Sequence, residues 1–345
     1  MTEAHAKKEW AQKERGAPFM MRLMLRMAFR WGRRGVRWIL YPTVAYFLIA
    51  APRAVRASRR CLQRLLGRPA GWREVARHLF YFASCTQDRI FLLSKKHHEL
   101  VIDAFWSPDI PAVLAKTPGC LLLVGHVGSR EALRLTPPPP QPDSNNVHDG
   151  RIVMRNAHLR AHESLEVAVL LDRQVGRQMT ELFEKLNPEL AAHIIDASER
   201  GPALVLKLKE ALQSGRMVGI GADRANAGER AVRVLFMGGT VEFPEGPWTL
   251  AAALGVPVIL GFGLYCGGNR YEAHFELFSE RVVTNRATRQ ADIQAHAQRY
   301  AQCMERYARM SPYNWFNFYD YWIEDAAPSP RPSPSGKGDR DHSSS

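Results

Sequence analysis

Apolar residues along this chain fall into two rhythms. Short, nearly unbroken runs at 121–124 (LLLV), 165–171 (LEVAVLL), 191–196 (AAHIID) and 217–222 predict buried strands. Between and before them the spacing is helical. It is clearest over 71–93, where Trp72, Val75, Ala76, Leu79, Phe80 and Ala83 share one face, and recurs over 179–186 and over 203–213, which Ser214-Gly215 ends. Strands alternating with helices predict an α/β fold: a mostly parallel central sheet flanked by helices on both faces.

The most apolar run, residues 38–51 (WILYPTVAYFLIAA), fits neither rhythm. A straight membrane span needs about 20 residues, and Arg37 and Arg53 close this one off early. Because both flanks are basic, they set no orientation. Upstream, Arg22, Arg26, Arg30, Arg33 and Arg37 fall within an arc of about 80° on a continuous helix, away from Met20, Leu23, Met24, Met27 and Trp31. This pattern predicts a helix lying on an anionic bilayer surface, with the apolar run dipping into it or spanning it with snorkelled arginines. A solvated basic face over a core helix is the plain alternative. A cleaved signal peptide is disfavoured, because the apolar run starts late.

Charge and composition sharpen that picture. The 345 residues, 46% hydrophobic, are enough for one large domain with an appendage. Net charge is +13, and residues 16–68 hold twelve arginines, no lysine and no acid. Nucleic-acid binding is disfavoured, since the arginines are interleaved with apolar surface and no nucleic-acid motif is present. Five scattered cysteines with no Cys-x-x-Cys pair read as reduced thiols. The organisation expected is a membrane-association segment over 1–68 and a catalytic domain over 69–325. A proline-rich loop (136–149, TPPPPQPDSNNVHD) interrupts that domain, and a disordered Pro/Ser tail follows over 326–345.

Candidate chemistry centres on residues 120–133, CLLLVGHVGSREAL. The strand-like run ends in Gly125-His126-Val127-Gly128, and Ser129 is placed to cap a helix with Glu131 in its first turn. On a continuous helix His126 and Glu131 would lie about 140° apart, but a loop turning into a helix can fold the carboxylate back onto the imidazole. The spacing alone is weak. Twelve histidines and 34 acids give about one such pair by chance, and the chain has three: His98 with Asp103, His126 with Glu131, and His158 with Glu163. Only His126 ends a strand-like run, and a structural strand-end histidine is its plain alternative. His158 and His162, four apart, have the spacing of metal ligands but lack a third, so no metal site is expected.

Three further motifs follow in order: Asp223-Arg224 ending the 217–222 strand, V-E-F-P-E-G-P over 241–247, and G-V-P-V-I-L-G-F over 255–262. With the first, the series resembles the lysophospholipid acyltransferase superfamily, whose blocks are His-x4-Asp/Glu, an arginine-bearing block, Phe-Pro-Glu-Gly and a Val-Pro-hydrophobic strand. The branch it is most similar to is the bacterial lipid A biosynthesis acyltransferases and their relatives, which also carry an N-terminal membrane segment and an aromatic-rich end, here residues 313–322 (YNWFNFYDYW). The resemblance covers roughly residues 35–323. It departs from the family's pattern at Pro247-Trp248, where glycerolipid enzymes often have Thr-Arg, and at the proline loop.

The resemblance implies transfer of a fatty acyl group from acyl carrier protein or CoA to a hydroxyl of a lipid acceptor. It also implies an inner-membrane location, with the catalytic domain on the cytoplasmic side, and no cofactor. Acyl transfer needs a base for the acceptor proton and donors for the tetrahedral oxyanion. His126 is the expected base and Glu131 its orienting carboxylate, with Ser129 a cap rather than a nucleophile. Arg224, beside Asp223, is the expected contact for an acceptor phosphate or the developing charge, its alternative a surface ion pair. Glu245 and Gly246 are expected to line the site. A lipid ester or thioester hydrolase using the same pair on water, or a membrane-surface scaffold without turnover, are the other readings.

Overall fold

The computed structural model describes residues 17–94, 97–157, 165–172, 177–199, 201–226 and 228–323, with side chains at 17–25 and 177–179 left aside. His158, His162, Glu163 and the 326–345 tail lie outside the described residues.

Three helices open the chain: α1 (Ala17–Arg37), α2 (Leu40–Ala50) and α3 (Pro52–Leu66), followed by the long α4 (Trp72–Leu93); the short α5 (Ile110–Leu114) and, later, α7 (Arg177–Leu186) and α8 (Pro188–Ala192) lie between strands. The described strands then form a nine-stranded mixed sheet in the order β3-β4-β1-β11-β10-β2-β7-β5-β6 and a separate hairpin. In chain order the sheet strands are β1 (Val101–Trp106), β2 (Cys120–Gly128), β3 (Val147–His148), β4 (Arg151–Met154), β5 (Val167–Leu171), β6 (Ile194–Asp196), β7 (Met217–Gly221), β10 (Val258–Tyr265) and β11 (Arg270–Ser279). The hairpin is β8 (Ala231–Phe236) with β9 (Gly239–Pro244). Five of the eight sheet pairings are parallel. The expected α/β architecture is therefore present, with an antiparallel return at β10–β11 and an antiparallel β3–β4–β1 edge.

Strand β2 lies in the middle of the sheet between β10 and β7, parallel to both, and so reads as an unbroken apolar run with both faces covered. One layer on the sheet contains α9 (Pro202–Gln213), α10 (Gly246–Leu254) and α11 (Arg289–Met310), packed with the hairpin against one face of β2 through Leu121 and Leu123. The opposite face, through Leu122 and Val124, packs with Ile90, Phe91 and Leu92 of α4 and with Ala28 and Val36 of α1. Beyond β2 come the one-turn helix α6 (Arg130–Leu133) and the proline loop. The loop is not wholly irregular: its last residues form β3, which pairs with β4 at the sheet edge.

The N-terminal helices are part of this fold. Ala28 and Val36 join the sheet core, Cys61 and Leu65 join the other layer, and Val44 and Leu62 pack with Ala70, Val75 and Leu79. The arginine face expected on one continuous helix is split. Gly32 takes a left-handed φ of 65° and kinks α1, so the wheel that aligned Arg33 and Arg37 with Arg26 and Arg30 does not apply across it. Arg26 and Arg30 stay exposed. Arg33 turns inward and grips Asp88 of α4 with two hydrogen bonds, Nε to Oδ1 at 2.7 Å and a terminal nitrogen to Oδ2 at 2.8 Å. Arg37 lies 3.6 Å from the same carboxylate. Further on, Arg60 pairs with Asp320 at 2.7 Å and Arg64 stacks over Trp322.

Helix α2, by contrast, leaves Trp38 beside it and its own Tyr41, Tyr46, Phe47 and Ile49 exposed, Ile49 at 84%. Among the described residues no helix is long and apolar enough to cross a membrane.

Candidate active site

Strand β2 continues past the apolar run and carries His126 beyond the end of β7. The β2–β7 ladder ends at Val124 opposite Gly221, and Ala222 N–H still donates to Val124 O at 3.0 Å. The next residue, Asp223, then turns its carboxylate onto the strand end that β7 no longer pairs. Its Oδ2 accepts the His126 backbone N–H at 2.9 Å, and Oδ1 accepts from His126 Nδ1 at 2.9 Å. One carboxylate thus satisfies an orphaned strand N–H and fixes the imidazole together. A Cβ at Gly125 would lie 2.9 Å from the Tyr300 hydroxyl and 3.0 Å from Met304 Sδ, so a larger residue would have to displace them. Gly128, at φ +71°, lets β2 run against the Gly263 carbonyl with no room for a side chain.

Asp223 is 1% exposed. Burial alone would raise its pKa, but the His126 imidazole and the Arg224 guanidinium outweigh burial and hold it well below the usual carboxylate range. Since an ionised carboxylate only accepts, Nδ1 must carry the proton and Nε2 the lone pair. For the imidazole burial is the largest influence. Asp223 opposes it and Arg224 and Arg130 add to it, leaving a pKa of about 4, so the ring is neutral at pH 7. Among the described residues Nε2 has no hydrogen-bond partner, and the side chain is 34% exposed. That is a base held in one tautomer with its working nitrogen open.

Glu131 was expected in this role and occupies another. It sits in the first turn after Ser129, as the pattern predicts, and Ser129 has the extended backbone of an N-cap. The helix is only one turn long, however, and its carboxylate points to α4, where Arg89 Nε lies 2.7 Å from Oε1. Oε2 accepts from Ser129 Oγ at 3.0 Å. Burial would raise its pKa, but Arg89 and Arg130 hold it below the usual range. Glu131 therefore anchors the turn behind His126 to α4 and makes no hydrogen bond to the imidazole. Ser129 holds the N-cap position, but its Oγ is committed to Glu131 and makes no capping bond to a backbone N–H, so the hydroxyl neither caps the helix nor faces the imidazole.

The aromatic C-terminal segment closes over this arrangement. Val127 forms an antiparallel bridge with Trp315, and Phe316 N–H donates to His126 O at 3.1 Å. The Tyr321 hydroxyl donates to the Asp223 carbonyl. A terminal Arg224 nitrogen donates to Phe316 O at 2.6 Å while the guanidinium lies over Tyr319, 5.2 Å from the ring centre. Arg224 Nε is also 3.8 Å from Asp223 Oδ2. Arg224 therefore ties this strap to the site and biases Asp223, a role closer to the ion-pair alternative than to an open phosphate contact. Behind the strap, buried His78 accepts at Nδ1 from Ser58 Oγ at 2.8 Å and donates from Nε2 to Trp315 O at 2.9 Å.

Glu245 and Gly246 lie elsewhere. They line a separate cleft of about 510 Å³ with Glu229, Arg230, Arg286 and Arg289, whose walls include neither His126 nor Asp223. Glu245 accepts from Gln290 Nε2 at 2.7 Å. Of the other same-spacing pairs, Asp103 is engaged by Arg155, Arg270 and the Asn156 N–H. Among the described residues no cluster of three His, Cys, Asp or Glu is placed to hold a metal ion. Comparison with protein-family models and with curated proteins finds no match for this chain.

The pairing that sequence spacing missed is His126 with Asp223, 97 residues apart. A signal for it existed. Both residues follow predicted strands directly, and polar groups at the carboxyl ends of neighbouring parallel strands are where α/β sheets assemble sites.

Proposed function

We propose that this protein is a membrane-associated acyltransferase that moves a fatty acyl group from a thioester to a lipid hydroxyl, with His126 as general base and Asp223 as its orienting carboxylate. The observation that carries the reading is the neutral imidazole, held at Nδ1 by a buried, ionised aspartate and open at Nε2. In the proposed step, Nε2 takes the acceptor hydroxyl proton as its oxygen attacks the thioester carbonyl. Collapse of the tetrahedral intermediate breaks the C–S bond, and the imidazolium returns the proton to the departing thiolate. Asp223 stabilises the imidazolium, as the carboxylate does in hydrolytic triads. No protein nucleophile enters, consistent with Ser129 Oγ being turned to Glu131.

Membrane association is supported by the exposed apolar side chains Trp38, Tyr41, Tyr46, Phe47 and Ile49. Exposed arginines flank them, Arg26, Arg30 and Arg34 before and Arg53 and Arg56 after. Aromatic rings with basic neighbours suit the headgroup boundary of an anionic bilayer, so we place this surface in the interface, lying on the membrane. An acyl carrier protein or CoA donor, a lipid A-type acceptor and the cytoplasmic face of an inner membrane are the particulars that the motif resemblance adds.

The test is incubation of the purified full-length protein with labelled acyl carrier protein or acyl-CoA and a total lipid extract. New labelled lipid, dependent on His126, is the expected result. Thioester loss without labelled lipid would replace transfer by hydrolysis, and no loss with either donor would overturn the enzyme reading.

A further inference from the structure

Among the described residues, positive charge exceeds negative around His126. Four guanidiniums, those of Arg89, Arg130, Arg134 and Arg224, face two carboxylates, Glu131 and Asp223, beside a neutral imidazole. Two of the four are committed: Arg89 to Glu131, and Arg224 to the Phe316 carbonyl and Tyr319. Arg130 and Arg134 are not. Neither has an ion pair or hydrogen bond with any described residue, and Nε of Arg134 is buried with no acceptor.

The two arginines bracket the one-turn helix α6, four positions apart, which is the spacing that brings side chains to the same helical face. Arg130 follows His126 at the strand end by four residues and precedes Glu131 directly, and its charge is felt by Glu131, Asp223, Arg89 and Arg224. Both side chains are half-buried, and burial lowers the pKa of each, with Glu131 opposing, that of Arg134 to about 10, so Arg134 stays charged at pH 7 with no carboxylate hydrogen-bonded to it.

We propose that Arg130 and Arg134 form a binding site for a phosphoryl group next to His126. The excess of two positive charges matches a phosphate monoester dianion, and the planar donor fork of arginine suits its oxygens. The site deepens the acyl-transfer reading and rests on it for its role: the phosphoryl group belongs either to the acceptor or to the phosphopantetheine-bearing donor, and holding it would set the reacting hydroxyl or thioester against Nε2.

Binding can be read without turnover. Full-length protein is titrated with labelled inorganic phosphate, with sodium acetate as competitor, alongside Arg130→Gln, Arg134→Gln, Arg130→Lys and, as a control at a distant ion pair, Arg155→Gln. Saturable phosphate binding that acetate displaces poorly is expected. It should weaken tenfold or more in Arg130→Gln and Arg134→Gln, less in Arg130→Lys and not in Arg155→Gln, with unfolding midpoints of the Gln variants within a few degrees of the parent. Absence of saturable binding, equal competition by acetate, or parent-like binding in folded Arg130→Gln would overturn the proposal, whatever the fate of the acyl-transfer reading. In turnover assays, if the Arg130→Gln penalty disappears with acyl-N-acetylcysteamine, which lacks phosphate, the donor carries the group. If it disappears with a dephosphorylated acceptor, the acceptor does. A penalty that is identical in all combinations would also overturn the assignment.

Discussion

Asp88 and Asp223 are both completely buried carboxylates in contact with arginine, and they differ in what their partners leave open. Asp88 takes two hydrogen bonds from Arg33 and one from the Tyr271 hydroxyl at 2.8 Å, with Arg37 nearby. Arg33 and Tyr271 are themselves buried and Arg37 is half-buried, so this node joins α1 to α4 and β11. Asp223 binds a backbone N–H and an imidazole whose far nitrogen faces outward. A buried charge that is fully enclosed holds a fold together. One whose partner has a free end can pass its influence to a substrate.

The comparison can be broken at either carboxylate. The largest effect is expected in turnover at the open one. On the proposed mechanism His126→Ala removes the base and should lower acyl transfer by about 10²- to 10⁴-fold. Asp223→Asn should cost about as much, because an amide can present its NH₂ to Nδ1 and so favour the wrong tautomer. Steady-state rates on variants with parent-like unfolding curves decide this. A folded Asp223→Asn protein with near-normal turnover would return the orienting role to another residue.

At the enclosed carboxylate the effect should fall on stability. Asp88→Ala leaves Arg33 buried without its partner, a loss on the order of 3–5 kcal/mol by denaturant unfolding. If Asp88→Ala unfolds like the parent, the node does not join α1 to the body of the protein.

A smaller effect is expected from acid. Burial lowers His78 to about 4, with its bond to the Trp315 carbonyl only partly opposing. Its folded pKa lies below the unfolded value of about 6.5. The stability it contributes is therefore fully present above pH 6.5 and is lost as pH falls toward 4, amounting to about 3 kcal/mol at most. His126 shifts in the same direction, so the acidic limb of the transfer rate should lie near pH 4 to 5 and not near 6.5. Equilibrium unfolding of the parent and His78→Gln between pH 7 and 4 measures the first, and a pH–rate profile the second.

The smallest effects sharpen the contrast between the two acids assigned to His126. Glu131→Gln loosens the turn from Arg89 but leaves the imidazole pair intact, and should reduce turnover by about tenfold or less. His98→Ala, at a position with the same five-residue spacing to an acid, should stay within about twofold. A loss in Glu131→Gln as large as in Asp223→Asn would mean that Glu131 reaches the imidazole during turnover.

Much of the fold was legible because strand and helix periods are local. The strand at 217–222 and the helices over 71–93 and 203–213 appear within a residue or two of where apolar spacing places them. The short strand expected over 191–196 begins instead at Ile194, because Asn187 caps a one-turn helix through Ala192 by accepting from the Leu190 N–H at 3.0 Å. The position of His126 was legible for the same local reason: an apolar run that stops at a glycine and a histidine. Its partner was not. A carboxylate five residues away is close in the chain, but the direction of its side chain depends on what lies behind it, and there Arg89 offers a full charge.

The amino-acid sequence by itself determined the element types, the central strand ending in His126, and an apolar, arginine-flanked surface near the amino terminus. Each follows from spacing over fewer than about twenty residues, which local sterics and burial preference decide. Only the tertiary structure decided which arginines stay on that surface and which carboxylate serves the histidine. The kink at Gly32 turns Arg33 into the interior, and the strand order sets β7 beside β2 so that Asp223 reaches a residue 97 positions earlier. A buried charge must find its partner wherever the fold brings one within about 3 Å, and distance along the chain has no say in that.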